Sequence, residues 1–268
     1  MVREPDAQWR TCVITVGGWG AGRMGPNNML ADLCRLATEN GCASLDFDLS
    51  GRGDAEGDPA LVTVDDMMDD TIRACRLMKG RGAAAIVLVG LCSGGNVALG
   101  SAACGAPVDA VVAISTLPYI PIADKSAARA KTAGHLRGYF LKLFRAETYS
   151  KLFRGAVSFK GVWRTLTGKG AGAGKASDRS LKDTRRDILG LLPGFKGPVV
   201  HIYGSADPES APSRKYFEEH YLRVGRKVAF HELQGANHNF YGLTWRADIS
   251  RVVFYTADCL NPSSAPTK

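Results

Sequence analysis

The chain has 268 residues, of which 45% are hydrophobic and 22% charged. This balance supports one sizeable core and excludes a disordered or collagen-like chain. The formal net charge is +8, but residues 117–190 alone hold 16 Lys and Arg against 5 Asp and Glu, so the remainder is slightly acidic. A basic excess confined to one segment favours an anionic small substrate, a carrier protein or a membrane surface as partner, and it argues against a nucleic-acid-binding protein.

The cysteines and the N-terminus indicate the compartment. The number of cysteines is odd, and neither a CxxC pair nor a Cys/His metal spacing occurs, so we expect no metal and no cofactor. The segment 1–5 lacks the apolar stretch of a signal peptide, and no apolar run is long enough to span a membrane. Free thiols without an export signal predict a cytoplasmic protein. The seven cysteines are Cys12, Cys34, Cys42, Cys75, Cys92, Cys104 and Cys259.

Short apolar runs alternate with helical patterns along the chain. The runs are at 11–17, 43–48, 84–90, 109–115, 197–203 and 227–233. The helical patterns are at 27–40, 62–79, 93–104, 212–223 and 243–260. Nearly continuous apolar runs are typical of strands that are buried on both faces. The alternation therefore predicts an α/β fold: a mostly parallel sheet of about six strands with helices on both faces.

One long segment interrupts this alternation. Residues 117–190 contain no convincing core strand but short amphipathic pieces, followed by a glycine-rich stretch at 168–174. Structureless loops of this length are uncommon in compact domains. We therefore predict a helical cap at 117–190, inserted into a core formed by 1–116 and 191–268. The alternative is an ordinary long crossover connection.

The third predicted strand leads into a turn that can carry a nucleophile. Cys92 lies between Gly90 and Gly94, the small-x-nucleophile-x-small spacing of a strand–turn–helix elbow. The strained turn requires small residues on both sides. Ser93 is the alternative centre, but the bulky Leu91 would then be one of its flanks. A helix N-terminus favours a thiolate, which supports Cys92 as nucleophile over a buried structural cysteine.

An acid and a histidine follow the last two predicted strands. Asp207 comes three residues after the glycine that ends the fifth strand, and His238 lies in the loop after the sixth. The order Cys92, Asp207, His238 places each side chain just beyond the C-terminal end of a strand, as a catalytic triad requires. The alternatives are a helix-capping or turn aspartate and a surface histidine. The remaining histidines are interpreted as structural or solvated: His135, His201, His220 and His231.

A glycine-rich loop, residues 17–23, follows the first predicted strand. Its position predicts one backbone N–H donor of an oxyanion hole, assigned to Trp19 with Gly18 as the alternative. The second donor would be the N–H of Ser93. A dinucleotide site is excluded because GGWGAG lacks the GxGxxG spacing.

With these motifs the sequence resembles the α/β-hydrolases, and more narrowly the exosortase-associated hydrolases of bacterial exopolysaccharide and protein-sorting loci. The shared features are GG…R…GP after the first strand, FDxxGxGDxEG after the second, GLCxGG at the elbow, aromatic residues in a basic cap, and NHNF followed by TWRADIS. The resemblance implies an N-terminal hairpin, but only about ten residues precede the first predicted strand. We therefore expect a sheet trimmed to roughly six parallel strands.

The resemblance implies a hydrolase or acyltransferase that uses Cys92, His238 and Asp207. The predicted activity is hydrolysis of ester or thioester bonds through a covalent acyl-enzyme. An acyltransferase or cyclase on the same triad and a non-catalytic binding protein that retains the fold are the alternatives. The predicted substrate is a small acyl compound, anionic or carrier-bound.

Overall fold

The computed structural model describes residues 1–118 and 184–260, and these form a seven-stranded sheet flanked by helices. The strand order across the sheet is β1-β3-β2-β4-β5-β6-β7, and all neighbours from β3 to β7 are parallel. The strands are β1 (Val2–Arg3), β2 (Thr11–Val16), β3 (Ala43–Asp46), β4 (Ala85–Leu91), β5 (Ala110–Ile114), β6 (Val199–Gly204) and β7 (Ala229–Leu233). The six predicted parallel strands are confirmed, with boundaries that differ by one or two residues.

The edge strand β1 is a seventh strand in addition to the six predicted parallel ones. It pairs antiparallel with β3, with Val2 opposite Leu45 and Arg3 opposite Ser44. Arg3 Nη1 also lies 2.6 Å from Oδ2 of the buried Asp46. A two-residue strand has no hydrophobic periodicity of its own, so this ion pair and the ladder with β3 define it rather than its local sequence.

The helices in the described residues confirm the predicted ones at all five positions. They are α1 (Met29–Glu39), α2 (Val64–Gly80), α3 (Ser93–Ala103), the short α4 (Ile188–Leu191), α5 (Ser210–Arg223) and α6 (Leu243–Cys259). Helix α2 starts with a capping box in which the Thr63 and Asp66 side chains each accept the other residue's backbone N–H. None of these helices is long and apolar enough to cross a bilayer.

Apolar side chains fill both sides of the sheet, as the buried strands predicted. On strand β4, Ile86 and Leu88 pack with the cluster under α2 and α3, whereas Val87 and Val89 pack with the cluster under α1 and α6. Alternate residues of a strand point to opposite faces. This explains why the sequence of β4 is apolar at every position. Strand β4 lies in the middle of the sheet and leads directly into the elbow.

The predicted cap at 117–190 lies largely outside the described residues. Its described C-terminal end, 184–190, contacts helix α2 of the core. Thr184 donates a hydrogen bond to Asp65, and Arg186 Nη2 lies 2.7 Å from Asp69 Oδ1. Ile188 is buried in the cluster on that face. Residues 184–190 thus lie against α2, and the chain continues from there to β6.

Candidate active site

The candidate nucleophile, acid and histidine each follow a strand of the parallel part of the sheet. Cys92 comes directly after β4, Asp207 three residues after β6, and His238 five residues after β7. The C-terminal ends of parallel strands lie at one edge of the sheet, and ligands of open α/β sheets bind there. The fold therefore brings together the three residues that the sequence places far apart.

The turn at Cys92 has the strained backbone that an elbow requires. Cys92 has φ 57° and ψ −123°, which is uncommon for a residue with a side chain. Its backbone N–H donates to the Ile114 carbonyl at 2.8 Å, which ties the turn to β5. A Cβ on Gly90 would lie 2.2 Å from the Gly94 carbonyl oxygen, and one on Gly94 would lie 2.4 Å from the Val16 carbonyl oxygen. The elbow therefore requires glycine at both positions and places Cys92, not Ser93, at its tip.

The side chains of Asp207 and His238 are hydrogen-bonded to each other. Asp207 Oδ2 lies 2.8 Å from His238 Nδ1, while Asp207 Oδ1 accepts a hydrogen bond from the Glu209 N–H at 3.1 Å. The Asp207 side chain is only 4% exposed and that of His238 is 30% exposed. A carboxylate fixed in this way orients the imidazole and stabilises its protonated form.

Cys92 and His238 shift each other's pKa in opposite directions. Burial acts to raise the pKa of Cys92, but the hydrogen bond and charge of His238, together with hydrogen bonds to Ser93, outweigh it and lower that pKa. The pKa of His238 is raised to about 9, first by its hydrogen bond with Cys92 and then, against burial, by Asp207. Each group thus favours the charged form of the other.

The pKa values of the buried cysteines elsewhere in the core are shifted in the opposite direction. Burial raises the pKa of Cys34 and Cys42 to about 11 each and that of Cys75 to about 12. The pKa of Cys12 is also raised by burial. Thiols that stay protonated are poor nucleophiles. Cys92 is therefore distinguished from these four by its surroundings.

The loop after β2 closes over the elbow. The Trp19 N–H donates to Ser93 Oγ at 2.5 Å. A Cβ on Gly18 would lie 3.6 Å from Cys92 Cβ, so Gly18 also borders the turn. Gly18 and Trp19, the two residues predicted as first oxyanion donor, thus both lie at the elbow. The Trp19 N–H points to the side chain of Ser93, the residue that follows Cys92.

Arg52, which no sequence motif singled out, contacts the same loop. Its Nε donates to the Trp19 carbonyl at 2.6 Å, and its guanidinium carbon lies 4.8 Å from the centre of the Trp19 ring. The residue is only 8% exposed. The sequence does not reveal this residue, because the burial of an arginine in a polar loop cannot be read from the local sequence pattern.

The two loops that follow β2 and β3 are joined by ionic contacts. Asp48 accepts a hydrogen bond from the Arg23 N–H at 2.6 Å and forms an ion pair with the Arg23 guanidinium, which also pairs with Asp54 at 2.6 Å. An open cleft of about 300 Å³ lies beside them, and its lining includes Phe47 and Ala55. These contacts fix the loop that carries Trp19 to the loop that carries Arg52.

The other described histidines are structural or at the surface, as predicted, and His135 lies outside the described residues. His201 is fully buried on β6, bonded to the Tyr221 hydroxyl at 3.0 Å, and burial lowers its pKa to about 3. His220 is half-buried and His231 is exposed. Within residues 1–118 and 184–260 no three His, Cys, Asp or Glu side chains are grouped so that they could hold a metal ion.

The fold and this edge of the sheet define an α/β-hydrolase. The chain belongs to the alpha/beta hydrolase family, whose model matches residues 17–250. A comparison with proteins of curated function finds no match to the sequence.

Solved structures share the fold at low sequence identity. DcsB in complex with its substrate analogue has a TM-score of 0.63 at 15% identity, over 96% of this chain and 93% of that one. Est1E from Butyrivibrio proteoclasticus with bound ferulic acid has a TM-score of 0.62 at 12% identity, over 97% and 94%. An esterase from Pyrococcus furiosus has a TM-score of 0.63 at 18% identity, over 94% and 82%.

Proposed function

We propose that this α/β-hydrolase cleaves ester or thioester bonds through a covalent acyl-enzyme on Cys92. The observation that carries the proposal is the arrangement at the elbow. A strained Cys92 with a lowered pKa interacts with His238, and His238 is held by the buried Asp207 at 2.8 Å. This arrangement supports Cys92 as nucleophile, His238 as general base and Asp207 as the carboxylate that orients it.

In the first half of the reaction the Cys92 thiolate attacks the acyl carbonyl carbon, and the carbonyl π electrons move to its oxygen. The tetrahedral intermediate then expels the leaving alkoxide or thiolate, which takes the proton held by His238. In the second half His238 accepts a proton from water as the water oxygen attacks the acyl carbon. Collapse of this intermediate releases the carboxylic acid and restores the Cys92 thiolate and protonated His238. Asp207 keeps its charge throughout and stabilises the imidazolium.

The developing oxyanion is stabilised by the backbone N–H groups of Ser93 and Trp19, with Gly18 as the alternative to Trp19. In the structure the Trp19 N–H donates to Ser93 Oγ. The substrate carbonyl oxygen therefore has to replace the Ser93 hydroxyl as the acceptor of the Trp19 N–H. The exchange requires the Ser93 side chain to turn away from the Trp19 N–H. The backbone N–H of Ser93, at the first turn of α3, interacts with Cys92 and is the proposed second donor to the same oxygen.

The nucleophile and the sequence motifs point to a substrate class. A thiolate is well suited to activated acyl groups such as thioesters, lactones and aryl esters. The strongly basic segment 117–190 supports an anionic or carrier-bound acyl substrate. The motif residues Arg23 and Asp48, which carry the resemblance to the exosortase-associated hydrolases, contact each other beside the site. They support a hydrolase of that type. The cytoplasm is proposed as its compartment because its cysteines are free thiols.

The test is burst release from an activated aryl ester, with mass spectrometry of the acylated protein. We expect one equivalent of rapid release and an acyl group on Cys92, both lost in Cys92→Ala. Cys104→Ala is the matched control, because Cys104 caps the other end of α3 and is also partly exposed. An undiminished burst in Cys92→Ala would overturn the proposal. An acyl-Cys92 that only an added alcohol or amine discharges would identify an acyltransferase, and no selective labelling of Cys92 would favour a binding protein.

A further inference from the structure

Among the described residues, Arg52 is a buried cation without a carboxylate in its contacts. It is 8% exposed, and none of the ion pairs formed within residues 1–118 and 184–260 includes it. Its guanidinium instead donates to two backbone carbonyls, Nε to Trp19 at 2.6 Å and Nη1 to Gly51 at 3.2 Å. Removing a charge from water is costly. A cation that is nevertheless buried against neutral carbonyl groups points to a function for the residues that carry those carbonyls.

The group that Arg52 holds is Trp19, which is hydrogen-bonded to the residue after the nucleophile. Trp19 is restrained at its N–H, its carbonyl and its ring. Its N–H donates to Ser93 Oγ at 2.5 Å, its carbonyl accepts from Arg52 Nε, and its ring lies 4.8 Å below the Arg52 guanidinium. The contacts to the carbonyl and to the ring fix the backbone on the C-terminal side of Trp19 and its side chain. Together they limit the directions in which the N–H can point.

We propose that Arg52 is a positioning residue that holds the Trp19 N–H toward the carbonyl oxygen of the substrate. The inference rests on the proposed acyl transfer at Cys92 and extends it to a residue of the β3 loop. Oxyanion donors act because they are oriented before the reaction, and a misdirected N–H loses most of its effect. Arginine suits the task because its planar fork can donate sideways to a carbonyl while its face stacks on an indole ring, which a lysine ammonium cannot do.

Arg226 provides a matched control in the same chain. It too donates to backbone carbonyls, at 2.9 Å to Leu192 and 2.6 Å to Gly197, and its guanidinium carbon lies 5.4 Å from the centre of the Phe195 ring. These contacts lie just before the start of β6, at the sheet edge opposite the site. Loss of Arg226 therefore removes the same kind of interaction without touching the Trp19 loop.

The experiment compares Arg52→Gln, Arg52→Lys and Arg226→Gln with the parent protein in two reactions. Hydrolysis of an activated aryl ester depends on the oxyanion donors, whereas alkylation of Cys92 by iodoacetamide depends on the thiolate alone. We expect both Arg52 variants to lower kcat by roughly 100-fold with KM nearly unchanged, which is the size of effect seen when one oxyanion donor is lost. Alkylation stays at the parent rate, and Arg226→Gln retains the parent kcat.

Amide hydrogen exchange at Trp19 is the second measurement and does not depend on turnover. We expect at least tenfold faster exchange of this N–H in Arg52→Gln and no change in Arg226→Gln. Parent-like kcat and exchange in Arg52→Gln would overturn the inference, as would a parallel fall of alkylation and kcat. A parent-like kcat in Arg52→Lys would mean that charge alone matters, which also contradicts it. If Cys92→Ala keeps full turnover, the proposed function fails, and the exchange rate alone then decides whether Arg52 orders Trp19.

Discussion

Nδ1 of His238 lies 2.8 Å from Oδ2 of Asp207, so the other ring nitrogen is the one left to serve Cys92. This division of the imidazole fixes the tautomer of the neutral ring, with its proton on the nitrogen that faces the carboxylate. In the proposed reaction Nε2 gives its proton to the leaving group and later accepts one from water. The two ring nitrogens thus have separate tasks, and the 2.8 Å contact keeps them separate.

We expect Asp207→Asn to lower kcat for an activated ester by at least roughly 100-fold, because an amide can hold the wrong tautomer of His238 and cannot stabilise its charge. The fold should be retained, since the amide still accepts the Glu209 N–H. Asp109→Asn is the control. That carboxylate also accepts a backbone N–H, from Ile86 at 2.8 Å, but at the start of β4, at the end of the strand that is remote from the elbow. Equal kcat values in the two variants would contradict the role of Asp207.

The raised pKa of His238 gives a second prediction, on proton binding. The largest cause of the rise to about 9 is the hydrogen bond with Cys92. Cys92→Ala should therefore bring the pKa of His238 down toward its ordinary value, as measured by NMR titration of the ring protons. Cys104→Ala should leave the titration unchanged. A pKa near 9 in Cys92→Ala would show that Asp207 alone sets it.

The same pair has a consequence for stability. A histidine whose pKa is raised by folding stabilises the fold fully below its unfolded pKa, and this contribution is lost as the pH rises through the folded value. The window for His238 is thus from 6.5, its ordinary value, to about 9. The lowered pKa of Cys92 acts in the opposite direction, because folding releases the proton that its thiol holds in the unfolded chain below the ordinary pKa of 9.0. The two contributions offset each other, so the urea midpoint of the parent protein should change little across this window. A midpoint that falls steeply between pH 6.5 and 9 would mean that His238 is protonated without a Cys92 thiolate beside it.

The elbow glycines give a prediction on packing. Gly94→Ala places a Cβ 2.4 Å from the Val16 carbonyl oxygen, so either β2 or the elbow has to move. We expect a loss of at least about 1 kcal/mol in the free energy of unfolding, the usual scale for overpacking, together with a loss of burst amplitude. Gly80→Ala is the matched control, because a Cβ there meets no atom within 4 Å at the end of α2. That variant should be neutral or slightly more stable.

Buried His201 should make the protein sensitive to acid. Its folded pKa of about 3 lies below the ordinary 6.5, so the unfolded chain binds a proton that the folded chain excludes. Stability is lost as the pH falls through this interval, by up to about 1.4 kcal/mol per pH unit. His201→Gln, followed by urea unfolding, should show a shallower loss between pH 6 and pH 4. A slope equal to that of the parent protein would contradict this assignment.

The sheet and the elbow could be predicted because their signals are local. Strands such as β4 are apolar at every position, and the spacing from Gly90 to Gly94 follows from steric limits at one turn. Strand β1 and Arg52 could not be predicted in this way. The first is defined by pairing with β3 and by Asp46, and the second by stacking on Trp19. Both depend on contacts between residues distant in sequence, and neither has a local pattern.

The parallel order of the sheet also determines when Cys92 and His238 meet. His238 follows β7, the last strand of the described residues and the outermost on its side of the sheet. Chains are synthesised and generally fold from the N-terminus. Cys92 therefore leaves the ribosome before His238 is made. Under the proposed function, docking of β7 is the step that brings the histidine to the thiol, so we expect alkylation of Cys92 in a nascent or refolding chain to become fast only when the sheet is complete.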